Sequence, residues 1–224
     1  MQLYFDLDHT LWDFEANSKE CLVQIYDELL SKEVDFSTSD FVDTFSVVNR
    51  NMWAALEREE ITHDYLRENR FKTTLAQLNH GIQAEKGKKL NDLFLELLPT
   101  KTTLIPNAIE ILDYCKSKYN LHIISNGFYE VQLRKMRGSG IFHYFSEIVT
   151  NEIAGARKPS KDIFNYAMTA SKCKAQDAVM IGDSYDADIF GAKNVGMKAI
   201  YFAPENHNNH DHHITNLLQL KDHF

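Results

Sequence analysis

The chain has 224 residues, 44% apolar and 25% charged, enough for one ordinary domain or one domain carrying a sizeable insertion. Its 24 basic and 32 acidic residues leave a net charge of −8, which argues against binding a nucleic-acid polymer but not against a small anion held by local positive charge. No run of 18 apolar residues occurs, so no membrane-spanning helix is expected. Met1 leads directly into a strand-like run with no secretory pattern. Cys21, Cys115 and Cys173 are odd in number, far apart and set in helix-like patterns; reduced, buried thiols and a cytoplasmic location are expected.

The first apolar run, residues 2–7, predicts a strand. From there to Pro99 the chain has no proline and only two glycines, Gly81 and Gly87, which favours long helices. Apolar residues recur at helical spacing through Cys21, Leu22, Ile25, Tyr26, Leu29 and Leu30, and again through Phe41, Phe45, Val48, Met52 and Leu56. Tyr65, Leu66, Leu75 and Leu78 match more weakly, with Thr62 placed to cap their helix; Leu90, Leu93, Phe94 and Leu97 form a fourth stripe. Residues 15–98 therefore predict a four-helix unit inserted into a domain made of residues 1–14 and 99–224.

Beyond Pro99 short β-rich runs alternate with helical patterns. Asn107 and Glu110 are spaced as a capping pair for a helix to Tyr119. LHIIS (121–125), EIVT (147–150), AVMIG (178–182) and KAIYF (198–202) predict strands. Helices are expected from Tyr129, from Ser160 to Ala170, from Ala187 to Asn194 and from Thr215 to Leu220. Alternation of this kind predicts an α/β fold with a parallel, Rossmann-like sheet covered on both faces.

Ligands of open parallel sheets bind beyond the carboxyl ends of the strands. The residues there are Asp6 and Asp8 after the first strand, Ser125-Asn126-Gly127 after LHII, Arg157-Lys158-Pro159 shortly after EIVT, and Gly182-Asp183-Ser184 after AVMI, with Asp186 and Asp188 close behind. Asp6 and Asp8 can face one locus if the strand stays extended. Two carboxylates about 4 Å apart repel by roughly 4 kcal/mol at an effective dielectric of 20, and a divalent cation removes that cost. Oxygen ligands without His or Cys favour Mg²⁺, and Mg²⁺ at such a place implies a phosphate. An aspartate can attack phosphorus, Lys158 and the metal can offset the charge, Ser125 and the amides near Asn126 and Gly127 can hold phosphoryl oxygens, and Asp8 can serve as general acid and base.

These stretches resemble the haloacid dehalogenase superfamily. Phe5-Asp6-Leu7-Asp8-His9-Thr10-Leu11 resembles its first motif, Ile123 to Gly127 its second, Arg157-Lys158-Pro159 its third, and Gly182-Asp183-Ser184 with Asp188 and Gly191-Ala192 its fourth. The resemblance implies Asp6 as nucleophile, Asp8 as general acid/base, and Mg²⁺ on Asp6, Asp183 and the backbone oxygen of Asp8. It implies phosphate binding by Ser125, Asn126 and Lys158, with Thr10, Gly127 and Asp188 in support and the helical insert as a cap. Asp8 favours a phosphatase over a dehalogenase. FDLDHTLWDFEANS, VNRNMW, SNGFYEVQ and IGDSYDADIFGA are similar to the pyrimidine 5′-nucleotidases of this superfamily, which implies a nucleoside monophosphate as substrate. Sugar-phosphate or phosphoglycolate phosphatases and a phosphomutase share the core motifs and stay open.

Two rivals use similar chemistry: a receiver domain that accepts phosphate without hydrolysing esters, and an inactive binding protein of the same fold. Asp13 and Asp186 are read as loop or exposed acids, and Met52 and Trp53 as packing residues before cleft residues. Phe128 or Tyr129 is a candidate for touching substrate. The run from His207 to His213 is expected to be a polar surface loop, not a zinc site. The chain has no P-loop and no dinucleotide fingerprint. Hinges near 14–18 and 98–106 would let the helical unit close during the reaction. Oligomeric state is open.

Overall fold

The computed structural model describes residues 1–81, 84–203 and 212–224. The chain divides into two compact units, Met1–Phe14 with Thr102–Phe224, and Glu15–Lys101.

The first unit is built on a parallel sheet whose six described strands lie in the order β3-β2-β1-β4-β5-β6. They are β1 (Gln2–Phe5), β2 (Asn120–Ser125), β3 (Phe145–Thr150), β4 (Ala178–Gly182), β5 (Lys198–Phe202) and β6 (His213–Ile214). The strands read as apolar runs because both faces are covered. On one face Tyr4, Ile124, Val149 and Met180 pack with Ile163, Phe164 and Ala167, residues of the helix α8 (Lys161–Ala170). The helix α5 (Ala108–Lys116) buries Ile111, Leu112 and Cys115 and packs on β2. Phe5 pairs with Ile123 of β2 and Ile181 of β4. The chain moves outward from β1 to β2 and β3, then crosses back to β4, so the order reverses beside β1, where such sheets open a crevice.

Several elements depart from expectation. β1 stops at Phe5, because Leu7 O accepts from both Leu11 N (2.9 Å) and Trp12 N (2.8 Å), which folds residues 7–12 into a turn. Asn107 adopts a left-handed conformation (φ 68) and makes no capping bond; its side chain donates to Asn216 (3.2 Å), while Glu110 pairs with Lys221. The helix expected from Ala187 is a π-turn at Tyr185–Phe190 followed by a short helix. The last helix is a 3₁₀ segment at Leu217–Asp222, capped by Asn216. β6 was absent from the sequence expectation, being two residues long and bordered by polar residues. Cys173 is half-buried and lies past the end of α8, unlike the buried Cys21 and Cys115. Most of the histidine-rich stretch lies outside the described residues; His213 bonds Ala203 O at 3.0 Å.

The second unit contains the helices α1 (Phe14–Leu29, of which Phe14 belongs to the first unit), α2 (Thr38–Glu57), α3 (His63–Gln77) and α4 (Ala84–Leu97). Ser37 and Asp40 close a capping box at the start of α2, and Thr62 Oγ1 accepts from Tyr65 N (3.1 Å) to cap α3. The weak periodicity of α3 has a physical cause. Tyr65 is exposed, and the buried face is Leu66, Arg70, Phe71, Thr74 and Leu75, so a charged residue interrupts the stripe. The Arg70 guanidinium lies 4.7 Å from the Phe94 ring and donates to Asn91 at 2.8 Å. Trp53 packs edge-on against His63 at 5.8 Å and, like Met52, is half-buried. Among the described residues no helix is long and apolar enough to cross a membrane.

Candidate active site

Register places the site. With Phe5 opposite Ile123 and Ile181, residues 6, 124 and 182 share one level of the sheet, and Asp6 N donates to Ile181 O at 2.9 Å. The side chains expected after three different strands therefore reach one crevice. Lys158, buried in the loop beyond β3 and the short helix α7 (Asn151–Ala154), sends its ammonium to Asp6 Oδ1 (2.6 Å), Asp188 Oδ1 (2.6 Å) and Ile124 O (2.9 Å). All three ammonium protons are used.

Each neighbour of Lys158 is itself braced. Asp188 Oδ2 accepts from Ser184 N at 3.0 Å. Thr10 donates to Asp183 Oδ1 at 3.0 Å. Asn126 clamps the lysine's own backbone, donating to Lys158 O (3.0 Å) and accepting from Lys158 N (2.8 Å). Both ends of its side-chain amide are thus committed to holding the Lys158 loop, because the two strand-end loops run side by side.

Carboxylate oxygens of Asp6, Asp183 and Asp188 lie within 4.8 Å of one another. Asp8 is not in this trio. Its Oδ1 accepts from Lys135 Nζ (2.6 Å) and its Oδ2 from Gln132 Nε2 (2.8 Å). β1 ends at Phe5, and the Asp8 carboxyl, near enough to Asp6 for its charge to raise that group, is held by these two donors; of Asp8, the metal assignment uses the backbone oxygen. Both partners lie on the helix α6 (Tyr129–Gly138), and sequence reasoning missed both. The available signal was their i, i+3 spacing on one face, but Arg134 and Arg137 on the same helix are exposed, so nothing in the sequence singled out Lys135.

The electrostatics follow from burial and neighbours. Burial pushes Asp6 up to about 6; Lys158 opposes this, and Asp188 adds to it. Burial, then the charges of Asp6 and Asp188, hold Asp183 far above the ordinary carboxylate range. Burial also raises Asp8, but the Lys135 ammonium and the bonds from Lys135 and Gln132 outweigh it, so Asp8 lies below its usual value. Lys158 is disfavoured by burial yet held above its usual value by Asp188 and Asp6. Two carboxyls of the trio, Asp6 and Asp183, resist ionising beside each other, an arrangement that calls for a cation there. The donor set is all oxygen and hard, which fits Mg²⁺.

The backbone serves the same geometry. A Cβ on Gly127 would lie 2.6 Å from Gln132 Cδ, and one on Gly182 would lie 2.7 Å from Asp188 Cβ. Ser125 Oγ accepts from Gly127 N (3.1 Å) and from Gln132 Nε2 (2.7 Å). Asp13 and Phe128 are half-buried and Asp186 is exposed. Tyr129 N donates to Glu152 at 2.6 Å.

A parallel α/β sheet with a lysine among carboxylates at its switch point defines a class: α/β proteins that hold an anionic group beyond the strand ends. The match of residues 3–202 to the haloacid dehalogenase-like hydrolases shows that the chain belongs to that family, and it is a hydrolase. It is 31% identical to the pyrimidine 5′-nucleotidase YjjG of Escherichia coli, over 87% of this chain and 82% of that protein. It is 29% identical to the pyrimidine 5′-nucleotidase PynA of Streptococcus pneumoniae, over 93% of this chain and 86% of that protein. The solved structure of the HAD-hydrolase YfnB of Bacillus subtilis, bound to magnesium, matches with a TM-score of 0.89 at 26% identity, covering 99% of this chain and 96% of that one.

Proposed function

We propose that this hydrolase is a Mg²⁺-dependent phosphomonoesterase acting through an aspartyl-phosphate on Asp6, with a pyrimidine nucleoside monophosphate as its substrate. The observation that carries the chemistry is the meeting of Asp6, Lys158, Asp183 and Asp188 beyond the ends of three strands, with Lys158 Nζ 2.6 Å from Asp6. The substrate rests on similarity to YjjG and PynA, and the metal on the all-oxygen trio together with the magnesium bound by YfnB.

Asp6, Asp183 and the backbone oxygen of Asp8 would hold Mg²⁺, with Asp188 beside them. When bound, Mg²⁺ supplies positive charge that lets an anionic phosphate approach a carboxylate. The remaining steps belong to the chain. Asp8, ionised in the free protein, takes up a proton as the anionic phosphate enters beside it; Asp6 then attacks phosphorus as the ester P–O bond breaks, and Asp8 gives that proton to the leaving oxygen. Water then attacks the phosphoryl group, Asp8 takes a proton from it, and the bond to Asp6 breaks to free phosphate. Lys158 turns the proton it gives Asp6 to a phosphoryl oxygen as the Asp6 carboxylate becomes bonded to phosphorus, keeping Asp188 and Ile124 O. Ser125, with both acceptor positions filled by Gly127 N and Gln132, has only its own proton left to give, which suits a phosphate oxygen.

Three free cysteines, Cys21, Cys115 and Cys173, suit a reducing, cytoplasmic setting. Phosphate release from a panel of nucleoside monophosphates, sugar phosphates and phosphoglycolate tests the proposal. Preferential turnover of pyrimidine monophosphates is expected; preference for sugar phosphates would overturn the substrate, and no release from any ester would overturn the chemistry.

A further inference from the structure

Gln132 and Lys135 present a problem that stability does not solve. Lys135 is 3% exposed and Gln132 is fully buried. A buried ion pair generally gains little over apolar residues of the same shape. Gln132 also leaves its Oε1 buried with no partner, which costs on the order of 1–3 kcal/mol. The amide cannot turn over to relieve this, since Asp8, an acceptor, would then face a carbonyl oxygen. The Lys135 stem is fixed as well, with its ammonium 4.5 Å from the Trp12 ring.

What these groups do is local. Each donates to a different oxygen of Asp8, so the carboxyl cannot rotate without losing one of them. The same Gln132 nitrogen donates to Ser125 Oγ, so one amide links the acid/base residue to the phosphate-binding hydroxyl. Gly127 leaves the room this amide needs. A carboxylate offers about four lone-pair positions; two are used here, and a proton in transit can occupy another while both contacts persist.

We propose that Gln132 and Lys135 are positioning residues that fix the Asp8 carboxyl for proton transfer to the leaving oxygen, Gln132 also coupling it to Ser125. This rests on the phosphomonoesterase assignment. It assigns to α6 a direct effect on the proton-transfer step without any contact between these side chains and the reacting phosphorus.

The experiment compares kcat/KM for 4-nitrophenyl phosphate, whose leaving group needs no proton, with that for an alkyl phosphate, whose alkoxide does. Lys135→Met and Gln132→Met should each lose about tenfold or more additional kcat/KM on the alkyl ester relative to the nitrophenyl ester. That extra loss should vanish in an Asp8→Asn background, and Lys135→Arg should restore part of it. Equal losses on both esters, no loss, or an extra loss that persists without Asp8 would overturn the positioning role. Thermal melting checks folding; because the two residues hold different Asp8 oxygens, either variant alone can decide. A wild-type chain that releases phosphate from neither ester would overturn the phosphomonoesterase assignment instead.

Discussion

Gly182 and Asp188 approach so closely that a methyl group on Gly182 would overlap the Asp188 carboxylate, with its carbon 2.7 Å from Asp188 Cβ. Asp188 cannot yield, since it is pinned by Lys158 at 2.6 Å and by Ser184 N at 3.0 Å. Gly182→Ala should therefore displace the carboxylate or part β4 from its neighbours, costing about 1–3 kcal/mol of stability and lowering kcat as Lys158 loses a partner. Melting curves and phosphate-release rates check this; a variant with wild-type values of both would show that the strand end accommodates a side chain freely.

Asp6→Asn separates function from stability. Activity should fall by several orders of magnitude, since an amide cannot replace the attacking carboxylate. Burial, opposed by Lys158 but reinforced by Asp188, pushes the Asp6 carboxyl up to about 6, so its charged form is disfavoured in the folded state. That penalty is absent below the unfolded value, grows as pH rises towards 6 and is complete above it. Asparagine never carries the charge. At pH 8 without metal the variant should melt no lower than the wild type, and a clearly lower melting temperature would mean that the Lys158 pair outweighs burial.

Chelation should stop turnover, and Mg²⁺ should restore it. The metal-free protein should also gain thermal stability on adding Mg²⁺, because a ligand that binds only the folded state stabilises it. Here the ion would also relieve repulsion among Asp6, Asp183 and Asp188, whose oxygens lie within 4.8 Å of one another. In Asp183→Asn the Mg²⁺-induced rise in melting temperature should shrink markedly. An undiminished rise would place the ion elsewhere.

The sheet was legible because its strands are buried on both faces: AVMIG and KAIYF stand out as continuous apolar runs, and the structure forms strands over the same residues. The polar residues at strand ends were legible for the converse reason, since acids and a lysine there have no packing role. The direction of a side chain after its strand ends was not legible. The Asp8 carboxyl is held by Gln132 and Lys135 of α6, 124 and 127 positions away, a tertiary outcome with no local signature. The clamp of the Asn126 side chain on the Lys158 backbone was likewise not legible, its partner lying 32 residues away. Arg70 hid the face of α3, since a buried guanidinium among phenylalanines breaks the periodicity that marks a helix.

His122 gives a pH dependence away from the site. Its ring is 2% exposed and stacks on Tyr4 at 4.9 Å. Gln2 Nε2 donates to Ser171 O (3.1 Å), which aims Gln2 Oε1 at His122 Nε2 (2.7 Å) and assigns the imidazole proton to Nε2. Nδ1 is buried without a partner. Burial, aided by the nearby Lys116 ammonium, lowers His122 from 6.5 to about 4. Between those values the unfolded chain binds a proton that the folded chain refuses, so stability falls as pH drops from 6.5 towards 4 and is unaffected above that window. At about 1.4 kcal/mol per pH unit the loss approaches 3 kcal/mol at the bottom of the window. His122→Phe keeps the ring stack but cannot titrate. It should lose about 1 kcal/mol at pH 7 with the Gln2 bond, yet show a shallower fall between pH 6.5 and 4. Urea unfolding of both proteins across that range measures the difference, and parallel curves would assign the acid sensitivity to the carboxylates instead.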